Sequence, residues 1–293
     1  MKPADPISRV AVVSTGAVAI RPEHVGPTTK SQTNWLLTSR SWTAPLPINV
    51  YVIAHERGLV LFDTGQDRAS VTDPHYFPRG PLGAIYSRLA RFEIAEDDTL
   101  TRQLAAAGLD ISDVTTVLLS HLHQDHIGGL GELRSAVILI SAEEYADASR
   151  PAPETRGLLR RHINLPGLSW KPFTFAPLDR ADLAPFTLGY DVFDDGSLVA
   201  LPTPGHTPGS SSLLVRRPGY PPLLLVGDLT YDVERMELGH VPGSGDQAEM
   251  RRSSELVAGL RQGMPDLVVL AAHDPSAAGR LRASLEAAMP AES

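Results

Sequence analysis

The chain has 293 residues, 42% hydrophobic and 20% charged, with a net charge of −8 and no cysteine. That size and composition suit one large α/β domain with a substantial core. They exclude disulfides, thiolate metal sites and cysteine nucleophiles, and the negative balance argues against a nucleic-acid partner.

The stretch 1–21 has one lysine and an apolar run, 10–20, broken by Ser14, Thr15 and Gly16. It reads as a first strand rather than a signal peptide. No run approaches the roughly 20 apolar residues that cross a bilayer. A cytoplasmic protein with no membrane partner is therefore expected. Short runs rich in β-branched residues, most of them bounded by Gly or Pro, predict strands over 10–13, 48–53, 59–62, 114–119, 137–140, 198–201, 212–215, 223–226 and 267–270. Between them, Asp98 is expected to cap a helix that carries Leu100 and Leu104 and closes at Gly108. Ser141 and Glu144 form a capping-box pattern before a short helix. Asp246 is expected to start another, with Met250, Val257 and Leu260 on one face and Gly263 beyond its end. The Ala-rich stretch 275–288 is expected to be helical, and the tail after Pro290 frayed. Strands come first in succession and then mix with helices, which suggests two sheets between helices. Two segments rich in proline and aromatics, 65–94 and 150–186, resist a regular reading. Each is expected to be a lid-like segment over a site, or else surface padding or a dimer contact. A single domain over 1–293 is expected, with a homodimer left open.

The predicted strand over 114–119 ends at Ser120, and His121-Leu122-His123-Gln124-Asp125-His126 follows at once. In extended backbone His121 and His123 point to one side, whereas the adjacent Asp125 and His126 diverge. One ion cannot readily use all four, but two ions about 3.5 Å apart could. A lone histidine is most often a plain surface or core imidazole. Three histidines and an aspartate within six residues at a strand's end point instead to a metal centre. Without cysteine, the donor set suits zinc, iron, manganese or cobalt. Three further residues follow apolar strands: His206 in the stiff loop Pro202-Thr203-Pro204-Gly205-His206-Thr207-Pro208-Gly209, Asp228 after 223–226, and His273 after 267–270. Strand ends are where sites on α/β scaffolds gather. Singly each is weak, since an Asp after a strand is often a turn former. His24, His55, His75, His162 and His240 share no ligand spacing and are expected at the surface, with His24 and His75 as candidate cavity residues.

This motif series resembles the metallo-β-lactamase superfamily, from about Ile48 to His273, and Leu61-Phe62-Asp63-Thr64-Gly65 looks like its early strand-end motif. The resemblance implies an αββα sandwich, two mixed sheets flanked by helices, with the site at one edge. It implies two divalent ions, zinc being expected. His121, His123 and His206 would hold the first, Asp125, His126 and His273 the second, and Asp228 would bridge them. Asp63 would support the site loop. Within the superfamily the chain is most like the quorum-quenching N-acyl homoserine lactonases. Tyr231, three residues after Asp228, carries that likeness, together with the stretches 120–129 and 203–209 and the run Ala272-His273-Asp274. That family places a substrate-contacting Tyr at the position of Tyr231. The implied activity is hydrolysis of a small-molecule lactone or ester, foremost an N-acyl homoserine lactone. Two ions sharing a water would lower its pKa from about 15.7 to near 7, and the resulting hydroxide would attack the carbonyl. Tyr231 would steady the oxyanion, and Asp125 would pass a proton to the leaving alkoxide. One departure stands inside the motif: Gln124 occupies a position where those lactonases often carry an aromatic. Thioester, aryl ester and organophosphate hydrolases, and iron-dependent oxidoreductases, use related constellations. The diiron reductases carry a Glu where His123 stands.

Overall fold

The computed structural model describes residues 5–288, so the tail after Pro290 lies outside the described residues. The first sheet contains β1 (Ile7–Ile20), β2 (Leu46–His55), β3 (Gly58–Phe62), β4 (Ala90–Glu93), β5 (Val114–Leu118), β6 (Val137–Ser141) and β7 (Ser169–Phe173), in the order β4-β1-β2-β3-β5-β6-β7. The second contains β8 (Ala176–Pro177), β9 (Leu188–Asp191), β10 (Leu198–Pro202), β11 (Ser211–Val215), β12 (Leu223–Leu225) and β13 (Val268–Leu270), in the order β13-β12-β11-β10-β9-β8. Both sheets are mixed. The run β3-β5-β6-β7 is parallel, as is β12 with β13. The other pairings are antiparallel.

Central strands are buried on both faces, and their period of two splits the side chains between layers. In β2, Tyr51 and Ile53 face the layer between the sheets with Phe62, Leu213 and Leu225. Val50 and Val52 point the other way, onto Leu100 and Leu104 of the helix Leu100–Ala106. In β11, Leu213 faces inward while Leu214 packs with Met250, Val257 and Leu260 of the helix Gln247–Gly263. Three apolar layers result: helix on sheet, sheet on sheet, sheet on helix. This is the αββα sandwich that the resemblance implied.

Several elements differ from expectation. β1 is longer than 10–13 because it runs through the Ser14–Gly16 interruption as a bulge, with a register shift between Ser14 and Ala17. Gly16 sits there at φ 102°, and a Cβ on it would meet the Glu93 carbonyl of β4 at 2.6 Å. The segment 65–94 holds the helix Gly80–Leu89 and β4, and 150–186 holds the short helix Arg160–Ile163, β7 and β8. β7 escaped prediction because it carries Lys171 and Pro172, which an edge strand tolerates. Asp98 does not cap the helix Leu100–Ala106. Thr99 holds that position, and the Asp98 carboxylate instead accepts from the Ala95 amide. Asp246 does cap its helix, accepting from the amides of Ala248 and Glu249.

Candidate metal centre

The site lies where strands end. β3 leads into Asp63, β5 into Ser120 and His121, β12 into Asp228 and β13 into His273, while His206 stands in the loop from β10 to β11. His123 has extended backbone, and the short helix Gln124–Ile127 starts directly after it. That switch turns Asp125 and His126 away from the first two histidines. The structure brings all seven expected ligand-type residues together. One ring nitrogen each from His121, His123 and His206 forms a group within 4.8 Å, as do atoms of His121, His126 and Asp228, and of Asp125, His126 and His273.

The outer ends of several of these side chains are fixed by the protein, as ligating residues require. His123 Nε2 donates to the Arg156 carbonyl at 3.0 Å, leaving Nδ1 to face His121 Nε2 at 3.0 Å and His206 Nε2 at 2.9 Å. His273 Nδ1 donates to the Pro47 carbonyl at 2.9 Å. His126 Nδ1 meets Asp63 Oδ2 at 2.9 Å. Asp63 also accepts from the Ser120 amide and hydroxyl at 2.7 and 2.8 Å. It does so from a left-handed backbone, φ 62°, that a non-glycine residue adopts only when its surroundings demand it.

The inward-facing atoms fit a divalent cation. His126 Nε2 and Asp228 Oδ1 are buried and 3.3 Å apart, yet neither makes a hydrogen bond among the described residues. Buried polar atoms left open at such range are unusual unless something binds them. Asp228 Oδ1 also lies 3.4 Å from His273 Nε2, while Oδ2 lies 3.4 Å from His206 Nε2. Burial and neighbouring imidazoles hold His121 well below its usual pKa. Burial does the same for His206, with His123 and His126 adding to it. Both are therefore neutral, the form that binds metals. Burial alone would raise the Asp228 carboxyl, but His273, His126 and His206 outweigh it and hold the group ionised. Burial would likewise lower His126, but Asp228 and Asp63 raise it well above its usual range. A field that favours a proton at His126 favours a cation there.

The family model for the metallo-beta-lactamase superfamily matches residues 43–273. The chain belongs to the metallo-β-lactamase superfamily. Its superfamily relatives include the N-acyl homoserine lactonase AttM of Agrobacterium fabrum strain C58, 32% identical over 234 residues that cover 79% of this chain and 83% of that one. An N-acyl homoserine lactonase of a Bacillus species is 31% identical over 209 residues, 71% of this chain and 74% of the relative. Among solved structures, a variant of Bacillus thuringiensis AiiA with N-decanoyl-L-homoserine at its active site superposes with a TM-score of 0.73 at 22% identity, covering 92% and 94% of the two chains. AidC, a dizinc quorum-quenching lactonase, matches with a TM-score of 0.58 at 18% identity, covering 93% and 91%. This superfamily member is a metal-dependent hydrolase, and its centre is built for divalent ions.

A cavity of about 680 Å³ opens over the centre. Val18, Ile20, Leu89 and Phe92 form an apolar wall, and Thr155, Arg156 and Gly157 line another part of it. Both proline-rich segments thus contribute to the wall. Tyr231 is buried in it, and its hydroxyl donates to Asp228 Oδ2 at 2.9 Å. Burial and the nearby Asp228 and Asp125 carboxylates push its phenol well above the usual range, so the proton stays on.

Two residues stand otherwise than sequence reasoning read them, one beside the site and one far from it. Ser141 does cap its helix, accepting from the Glu144 amide at 3.1 Å, but the Glu144 carboxylate does not reach back to complete the box. Fully buried, it accepts from the Leu122 amide at 3.0 Å, the Thr207 hydroxyl at 2.7 Å and the Gly209 amide at 3.2 Å. It therefore joins the His121–His123 turn to the His206 loop. Burial pushes its carboxyl up to about 7. His55, expected at the surface, is buried at the far end of β2. Its Nε2 lies 3.2 Å from both Asp195 Oδ2 and Ser197 Oγ, and its Nδ1 accepts from the Arg57 amide. Only the three-dimensional fold, which brings 144 beside 207 and 55 beside 195, could have signalled either.

Proposed function

We propose that this protein opens the lactone ring of N-acyl homoserine lactones, using two divalent ions, zinc in the first instance. His121, His123 and His206 would hold one ion, Asp125, His126 and His273 the other, and Asp228 would contribute one oxygen to each. The single observation that carries the reading is the placement of Asp228, whose Oδ2 faces His206 and whose Oδ1 faces His126 and His273, with the Tyr231 hydroxyl on the same carboxylate. The names of the curated relatives support the substrate class.

When bound, the ions supply Lewis acidity and lower the pKa of water from about 15.7 to near 7. The protein does the rest. Tyr231, protonated at neutral pH, would turn its single O–H from Asp228 Oδ2 toward the oxygen of the carbonyl as negative charge develops there. Asp125 stands on the cavity wall and would take the proton given up by the attacking water and pass it to the ring oxygen as the bond from that oxygen to the acyl carbon breaks. The product is a ring-opened N-acyl homoserine, with a carboxylate and a free hydroxyl. The apolar wall of Val18, Ile20, Leu89 and Phe92 would take the acyl chain, with the segments 65–94 and 150–186 serving as lid-like walls.

The cavity's charges disfavour glutathione thioesters and β-lactams, whose carboxylates need a cation. Among the described residues, Arg156 is the only arginine or lysine lining the cavity, and Asp147 engages its guanidinium at 2.9 Å. The deciding experiment is a panel of acyl homoserine lactones, a β-lactam, a glutathione thioester and an aryl ester, assayed on zinc-loaded protein. Turnover of the acyl lactones is expected to dominate. Failure on every lactone overturns the proposal.

A further inference from the structure

Gln124 stands between His123 and Asp125, inside the motif that builds the centre, yet no ligand role falls to it. Its side chain is nearly enclosed, with 9% of the residue exposed, and it lines the cavity. Its Oε1 is buried and meets no hydrogen-bond partner among the described residues. An unpaired buried carbonyl is costly and calls for an explanation. An amide oxygen is an acceptor only, so what it lacks is a donor.

The proposed substrate has one such donor close to the reaction. The amide N–H of an N-acyl homoserine lactone is borne on the ring carbon next to the attacked carbonyl, two bonds from it. Gln124 lines the same cavity as His123, Asp125 and Tyr231, into which the lactone would have to bind. We propose that Gln124 Oε1 accepts a hydrogen bond from the amide N–H of the substrate, so that this chain selects lactones bearing an acylamino group over lactones with a plain alkyl chain. The inference rests on the lactonase reading above and adds a residue that sets specificity within it.

The test compares N-hexanoyl-L-homoserine lactone with γ-decalactone, which lacks the amide, on the metal-loaded wild type and on the Gln124→Met and Gln124→Leu variants. The quantity read is the ratio of kcat/KM between the two lactones, which a general loss of folded enzyme does not move. Both variants are expected to lower that ratio about tenfold, the worth of one hydrogen bond to a neutral group. An unchanged ratio overturns the proposal and leaves Gln124 Oε1 to an ordered water. If the wild type hydrolyses neither lactone, the lactonase reading falls, and calorimetric binding of the ring-opened N-hexanoyl-homoserine against 4-hydroxydecanoate decides the inference. An approximately tenfold weakening of the amide-bearing ligand alone in Gln124→Met upholds it, and equal weakening of both overturns it.

Discussion

The two ends of the sandwich both bury histidine against carboxylate, and they do it differently. β2 joins them: Pro47 near its start takes a hydrogen bond from His273, and His55 closes its other end about 26 Å away at about 3.3 Å per residue. At the His55 end the polar groups satisfy one another. His55 Nε2 has Asp195 and Ser197, Nδ1 has the Arg57 amide, and Asp195 also holds the Ser197 hydroxyl. At the metal end, His126 Nε2 and Asp228 Oδ1 approach as closely as 3.3 Å without bonding. What separates a functional cluster from a structural one is therefore not its composition. It is whether the inward-facing lone pairs are already used.

Breaking the open end should cost most. Asp228→Ala removes the carboxylate that faces both donor groups and should lower kcat/KM at least about 100-fold, with metal analysis showing less than two ions retained. Full two-ion occupancy with full activity would remove the bridging role. Asp63→Ala leaves the Ser120 amide and hydroxyl and His126 Nδ1 without their acceptor. Metal affinity, read by chelator competition, should fall about 10- to 100-fold, and unaltered affinity would show that the Asp63 contacts position nothing. His24 lies between these extremes, on the cavity wall and stacked at 6.3 Å on Tyr231. Burial pushes its imidazole down from 6.5 to about 4. The folded state thus keeps it neutral while the unfolded chain takes up a proton below about pH 6.5. Relative to His24→Gln, the wild type should lose about 3 kcal/mol of stability as pH falls from 6.5 to 4. Denaturant titrations that run parallel over that range would refute this. The closed end should matter least to chemistry. His55→Phe should cost about 2 kcal/mol of unfolding free energy while kcat/KM stays within about twofold, since His55, Asp195 and Ser197 do not line the cavity.

Much of the centre was legible because its donors come in short runs. His121, His123, Asp125 and His126 are near neighbours in sequence, and His206, Asp228 and His273 each follow an apolar strand. The layered fold was legible for the same reason, as short apolar runs rich in β-branched residues, such as 48–53, announce strands buried on both sides. Contacts that depend on the fold's closing were not. The pattern at Ser141 and Glu144 is complete locally, so nothing in it announces that the carboxylate turns away to residues more than sixty positions on. β4 and β7 lie at sheet edges, where one partner suffices and charged residues or proline do no harm. Their sequences therefore carry little strand signal.

Glu144 also constrains how this scaffold can be recombined. Its acceptor oxygens belong to the first half of the chain, and two of their three donors, Thr207 and Gly209, belong to the second. Gly209 admits no side chain, since a Cβ there would fall 2.2 Å from the Glu144 amide nitrogen. A chimera with its crossover between 144 and 207 must therefore inherit a hydroxyl at 207 and a glycine at 209 along with its carboxylate. A donor half that lacks either brings a complete set of histidines to a centre that no longer closes.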